Sequence, residues 1–269
     1  MAQTSTRLPQ GRAQLVAVLA AAGDVIRVDD VVNALSLDRT AAAQRLSRWM
    51  QQGWINRVGR GAYVAAALDT LGAERTLDDP WILVPALFAP AYIGGRTAAA
   101  HWELTEQIFK DVVVMTTHFV RERQQERQGA HFTLKHIDPR KLFGTKSVWR
   151  HHTRVPVSDV HRTIIDILDD PALGGGIQHV AECLSTYIRR DDRNDGKLIE
   201  YAAQLGNGAV FKRLGFLAES QPSTDKLVQL CLRNLSGGYA DLDPALSGPR
   251  IVSRWRLRVP DRWVHQVRA

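Results

Sequence analysis

Hydrophobic positions over the first quarter of the chain fall into a sequence of short periodic runs, each closed by a polar or glycine break. Leu15, Val18, Leu19 and Ala22 recur at i, i+3, i+4 and i+7, which predicts a helix over residues 12–22 that Gly23 ends. "VIRV" fits a short strand, and Asp29 or Asp30 is placed to cap a second helix carrying Val31, Val32 and Leu35. After the turn "SLD", Asp38 is a good cap for a third helix from Arg39 to about Gln52. Projected at about 100° per residue, that helix turns Ala42, Ala43, Leu46, Trp49 and Met50 inward. Thr40, Gln44, Ser47, Arg48 and Gln51 point outward, with Arg45 flanking them. Gly53 stops the helix, "WINRV" and "AYV" form two strands, and Gly59-Arg60-Gly61 makes the turn between them. Helix, strand, helix, turn, helix, hairpin is the order of a winged helix-turn-helix.

The polar break "LGAERTLDDP" places a domain boundary near Leu71 to Asp79. Beyond it, "PWILVPALF" and "RTAAAHWEL" have helical spacing, while "DVVVMTT", "AHFTLKHI" and "VWRHHTRVPV" have strand spacing. Residues 159–235 predict successive helices. In "IVSRWRLRV", Trp255, Leu257 and Val259 alternate with Arg254, Arg256 and Arg258, as in a strand with one face in the core. The fold class is therefore α+β: an N-terminal winged helix-turn-helix, residues 1–72, followed by a larger mixed α/β domain, residues 80–269.

Charge sharpens this picture. The chain of 269 residues carries a net +7, which favours an anionic partner such as nucleic acid. Residues 1–35 are neutral in sum, whereas residues 36–64 carry Arg39, Arg45, Arg48, Arg57 and Arg60 against Asp38 alone. Arg48 and Gln44 are suited to guanine and adenine edges in the major groove. Arg57 and Arg60 on the hairpin are suited to phosphates or the minor groove. Trp49, Trp54 and Tyr63 are read as a small core under the hairpin. Farther on, residues 121–154 are strongly basic and residues 159–195 acidic, an asymmetry that predicts a face meeting a partner of opposite sign, either flanking DNA or an acidic protein.

Candidate chemistry is sparse. "GGGIQHV" lacks the strand and third glycine of a dinucleotide fingerprint and reads as a flexible lead-in to a helix. "GTKS" lacks the upstream glycine of a phosphate loop, and the histidines have no zinc-site spacing. In "VSDVHRTIIDILDDP", Val160, Ile164, Ile167 and Leu168 form the buried stripe of a helix capped by Ser158 or Asp159, with Arg162 and Asp166 as an i, i+4 ion pair. Cys183 and Cys231 are expected as free, partly buried thiols of a reducing cytoplasm. Arg7, Arg12 and "LVAVLAAAG" mimic a signal peptide, but the apolar run flows into the first helix and is read as part of it. No stretch is long enough to span a bilayer, so no membrane is expected as a partner. A metal-dependent nuclease, with Asp195, Lys197 and Glu200 as the nearest approach to its constellation, and a one-component regulator binding a small ligand are the competing readings.

Several segments in order, "GWINRVGRGAYV", "AYIGGRTAAAHWEL", "VSDVHRTIIDILDDP", "FKRLGFLAE" and the terminal "RWRLRV", resemble the AbiEi-type antitoxins and transcriptional regulators of bacterial type IV toxin-antitoxin systems, and look especially like mycobacterial members. The resemblance implies a winged helix that binds inverted repeats of double-stranded operator DNA at its own promoter and a larger domain that counteracts a cognate nucleotidyltransferase toxin. It also implies no catalytic residues, no metal and no cofactor, and a monomer in solution. By motif, the family's DNA contacts fall on Arg45, Arg48, Arg57 and Arg60, while no toxin-contacting residue carries over. His161 departs from the pattern, standing where such sequences commonly have an acidic residue.

Overall fold

The computed structural model describes residues 10–66 and 79–264, so the expected boundary at Leu71 to Asp79 lies almost wholly outside the described residues. The first part runs α1 (Gln10–Ala22), β1 (Ile26–Arg27), α2 (Val28–Leu35), α3 (Arg39–Gln51), β2 (Ile55–Gly59) and β3 (Ala62–Ala65). Its core gathers Leu15 and Val18 of α1, Ile26, Val31 of α2, and Ala42, Leu46 and Trp49 of α3, with Ile55 beneath them. Asp30 does not cap α2 as its first residue. It sits in the first turn and its carboxylate accepts from the Arg27 backbone N–H at 2.6 Å. Asp38 caps α3 as expected, accepting from the N–H groups of Thr40 and Ala41 at 2.8 and 2.9 Å. The inward face of α3 is narrower than its sequence implies, because α1 and α2 cover only the i, i+4, i+7 stripe. Ala43 and Met50, each one residue past that stripe, are exposed.

The second part opens with a single 3-10 turn (Pro80–Leu83) and α4 (Val84–Leu87), then β4 (Ala91–Ile93), α5 (Gly95–His101), β5 (Asp111–Thr116), β6 (Gln124–Arg127), β7 (Ala130–His136), β8 (Thr145–Arg150) and β9 (Thr153–Ser158). These strands form one mixed sheet in the order β6-β7-β5-β4-β9-β8, with β5 parallel to β7 and β4 parallel to β9. "VWRHHTRVPV" is not one strand. His151, in the left-handed region at φ 49°, and His152 turn the chain so that β8 and β9 pair as a hairpin.

Helices α6 (Val160–Asp169), α7 (Ile177–Ile188), α8 (Asp195–Leu205), α9 (Gly208–Ala218) and α10 (Asp225–Arg233) follow as predicted. A small sheet of β10 (Ala240–Asp241), β11 (Arg250–Val252) and β12 (Leu257–Val259) and a last turn of helix, α11 (Asp261–Val264), complete the described chain. The terminal strand is also broken in two, because Arg256 adopts φ 52° and reverses the chain between β11 and β12. Its alternation survives the break: Trp255, Leu257 and Val259 are buried, while Arg254, Arg256 and Arg258, each preceding one of them, are exposed.

The amphipathic reading of α6 fails instructively. Every residue from Val160 to Leu168 is buried, so the polar side of this helix faces protein rather than water. Arg162 and Asp166 form the expected pair at 2.9 Å, and both are nearly inaccessible, at 1% and 4% side-chain exposure. Such a pair survives burial only when further polar and aromatic groups replace its lost water. Here Arg162 also donates to the Tyr92 hydroxyl at 3.0 Å and lies 3.9 Å from the centre of the Phe143 ring. At the other end of α6, the Arg213 guanidinium donates to the carbonyls of Leu168, Asp169 and Asp241, tying α9 to α6 and β10. Asp159 is the N-cap, accepting from Arg162 N–H at 2.8 Å and from the Tyr201 hydroxyl at 2.9 Å. Burial alone would raise its carboxyl, but His161, the backbone of Arg162, Tyr201 and Lys197 together hold it well below the ordinary range.

Two further expectations change for the same reason. The basic and acidic segments pair with each other only in part: Lys135 lies 2.7 Å from Asp169 and 3.3 Å from Asp170, and Arg123 reaches Asp170 at 3.6 Å, while Arg121, Arg127 and Lys146 stay exposed. "GGGIQHV" is not a loose lead-in: the Ile177 N–H donates to Asp243 at 3.0 Å, and Gly174 packs on Ile167 and Val180. Cys183 and Cys231 are free, and fully rather than partly buried.

The two parts meet across the hairpin of β2 and β3. Ile55 and half-buried Tyr63 on one face belong to the first core, whereas Val58, Ala62 and Val64 on the other are continuous with Trp81, Leu83, Val84 and Phe88 of the second. Gly59 packs closely here: a β-carbon there would lie 2.5 Å from Leu87 Cδ2, so a larger residue would oblige that side chain to shift. Asp24 adds a polar tie, accepting from the His152 N–H and the Thr153 hydroxyl at 2.9 and 2.8 Å.

Val58→Ala removes apolar bulk from this shared wall and is expected to lower stability by about 2 kcal/mol, read as a lower urea midpoint. The parent is expected to unfold in one calorimetric transition; two resolved transitions would show that the wall does not couple the parts. For Asp159, the folded carboxyl lies below its unfolded value, so its contribution is present above about pH 4 and is lost as pH falls through the folded value. Asp159→Asn is therefore expected to cost about 2 kcal/mol at pH 7 and progressively less in acid, measured by urea unfolding across pH.

Candidate nucleic-acid interface

Three buried anchors, Ala42, Leu46 and Trp49, fix the rotation of α3 and leave Thr40, Gln44, Ser47, Arg48 and Gln51 on its exposed side. Thr40 sits in the first turn, where its backbone N–H is held by Asp38. Gln44 and Arg48 follow at intervals of four, one above the other along the same exposed strip. Arg45 is different. It is half-buried and its guanidinium donates to the side-chain oxygen of Gln14 on α1, so it braces two helices as well as flanking the strip. Arg39, at the start of α3, pairs with Asp29 of α2 at 2.6 Å, both well exposed.

On the hairpin, Arg60 stands at the turn with its side chain exposed, next to Gly61 at φ 69°. Arg57 is exposed too, and its Nε donates to the Gly59 carbonyl at 3.1 Å, which folds the side chain along the strand towards the turn. Trp49, Trp54 and Tyr63 pack in or against the first core, as the sequence predicts, and Arg12 lies over the Trp54 ring at 5.5 Å. Arg48, Arg57 and Arg60 are thus all exposed while the apolar faces of their elements are covered.

The sequence predicts that the basic segment 121–154 meets a partner, but not that it lies beside the hairpin. The carbonyl of Arg57 accepts from Gln128 Nε2 at 3.1 Å, which places the turn between β6 and β7 beside the hairpin. A cleft of about 270 Å³ separates the hairpin tip from the second part, lined by Gly59, Arg60, Leu87, His118, Phe119 and Arg127 among others. Arg127, which lines the cleft, and Arg121 in the preceding loop are exposed, so positive charge continues from the hairpin tip onto β6. The signal that could have found this was the run "HFVRERQQERQ", basic on balance and set between two strands.

The carboxylates considered for a nuclease do not converge. Asp195 is paired with Arg193 at 2.7 Å, Lys197 reaches Asp159 at 3.4 Å, and Glu200 is exposed on α8. Among the described residues no helix is long and apolar enough to cross a membrane, and no cluster of three histidine, cysteine or carboxylate side chains is arranged to hold a metal ion.

Compared with curated proteins, the chain has no significant match. The stretch from α1 to the end of the hairpin is another matter: residues 13–66, which contain every one of the candidate DNA-contacting residues, match the family model described as transcriptional regulator, AbiEi antitoxin.

Proposed function

We propose that this protein is an operator-binding regulator of the antitoxin type, with residues 1–72 reading DNA and residues 80–269 counteracting a cognate nucleotidyltransferase toxin. The observation that carries the reading is the exposed set of Gln44, Arg48, Arg57 and Arg60 on α3 and its hairpin, inside the segment that resembles the regulator family. In this reading α3 enters the major groove, where the guanidinium of Arg48 pairs with guanine and the amide of Gln44 with adenine. Thr40 and Arg45 lie at the edges of that contact. Arg57 and Arg60 hold the adjacent backbone through phosphates or the minor groove. The exposed arginines of the β5–β6 loop and β6 add sequence-independent attraction for DNA flanking the operator. The protein acts without catalysis or cofactor, as a cytoplasmic monomer that pairs on inverted repeats.

The two arginine roles are separable in a salt titration against a duplex spanning the chain's own promoter. Arg60→Ala is expected to weaken binding to all sequences alike and to reduce the salt slope by about one unit. Arg48→Ala is expected to relax discrimination at one or two base pairs, by about 1–3 kcal/mol at each. Parent-like binding by both variants would remove α3 and the hairpin from the interface. A second assay addresses the toxin: the double variant Arg48→Ala/Arg60→Ala should still restore growth to cells expressing the neighbouring toxin gene. Lethality despite soluble parent protein would leave a DNA-binding regulator with no antitoxin role.

A further inference from the structure

Phe119 is 88% exposed, and among the described residues few large apolar side chains are as bare. Its loop holds it there. Thr117 N–H donates to the Pro90 carbonyl at 3.0 Å, His118 N–H donates to the Thr116 hydroxyl at 3.1 Å, and Val120 packs against the second core. The backbone is therefore anchored on both sides of a ring that stands bare among the described residues. A single exposed apolar side chain is ordinary on a protein surface; what sets Phe119 apart is the pinned loop that holds it at the rim of a cleft shared with Arg60 and Arg127.

Its surroundings identify the contact. Phe119 and Arg60 line the same cleft, together with His118 and Arg127, and exposed Arg121 lies two residues further along the chain. An apolar ring that shares its cleft with the guanidinium groups of Arg60 and Arg127 suits a polyanion whose interior is aromatic, and fits an apolar protein patch poorly. Charge complementarity thus selects duplex DNA over a second copy of this basic chain. Side chains of this kind enter the minor groove and part a base step, while neighbouring cations hold the phosphates on either side. We infer that Phe119 is a wedge: as Arg60 seats the hairpin on the backbone, the ring of Phe119 inserts between two stacked base pairs in the adjacent minor groove. The inference rests on the operator-binding reading above, and adds to it a contact made by the second part of the chain through stacking rather than charge.

The test uses the full-length protein and promoter duplexes carrying 2-aminopurine at successive adenine positions, whose fluorescence rises when a base unstacks. Binding of the parent is expected to raise fluorescence at one or two adjacent positions. Phe119→Ala is expected to abolish that rise and to weaken binding roughly tenfold, with the salt slope unchanged because no phosphate contact is lost. Arg60→Ala gives the converse, a lower slope with the unstacking retained at saturating protein. Parent-like affinity and fluorescence in Phe119→Ala would overturn the wedge, as would a parent complex in which no position unstacks. Self-association of the parent that Phe119→Ala removes while unstacking persists would assign the ring to a contact between copies and overturn it too. Failure of the parent to bind any promoter duplex would bring down the operator reading itself, and the wedge with it. Phe119 is on the surface, so the variant should keep the parent's thermal unfolding midpoint, which verifies that the comparison is between folded proteins.

Discussion

A hairpin with two dry faces is the constraint on which this architecture rests. Alternate residues of a strand point to opposite sides, and β2 and β3 use both sides for burial: Ile55 and Tyr63 towards one core, Val58, Ala62 and Val64 towards the other. Wings of isolated winged helices commonly expose one face to solvent. Here, among the described residues, the hairpin exposes Ala65 at its end and the two positions Arg57 and Arg60. Those positions have the charge that the candidate interface needs, and the apolar positions between them decide where that charge is held.

The second part achieves its rigidity by a less economical route. Helix α6 buries Arg162 and Asp166 instead of apolar residues, and then surrounds them with Tyr92, Phe143 and a capped helix start at Asp159. Removing one member of such a network is costlier than never having built it, since the remaining charge is stranded in a dry site. The network joins β4, α6 and, through Asp159 and Tyr201, α8. It thereby fixes the sheet whose β5–β6 loop and β6 edge lie beside the hairpin tip.

Local chemistry was largely legible in the chain. The cap at Asp38, the stripe Ala42-Leu46-Trp49, the turn at Gly61 and the alternation of "RWRLRV" are short-range signals, and each appears in the fold. What the sequence hid were the facts that depend on neighbours far along the chain. A polar residue reads as solvent-facing until another element covers it, which is why α6 looked amphipathic and proved wholly buried. Net charges of segments mislead similarly, because Lys135 and Asp169 are 34 residues apart in sequence and 2.7 Å apart in space. At the candidate interface, Thr40, Gln44, Arg48, Arg57 and Arg60 could be chosen by helical projection and turn chemistry. The bracing of Arg45 by Gln14, and the approach of the β5–β6 loop to the hairpin, could not.

The shared wall also limits how a lineage of such proteins can change its target. Each buried position of β2 and β3 must fit one of two packed interiors, and the hairpin as a whole must fit both. The outward strip of α3 and the Arg60 turn are under no such double restraint. In the proposed operator reading, divergence in the DNA sequence recognised accumulates on those few positions, while the angle at which they are offered to a duplex stays inherited.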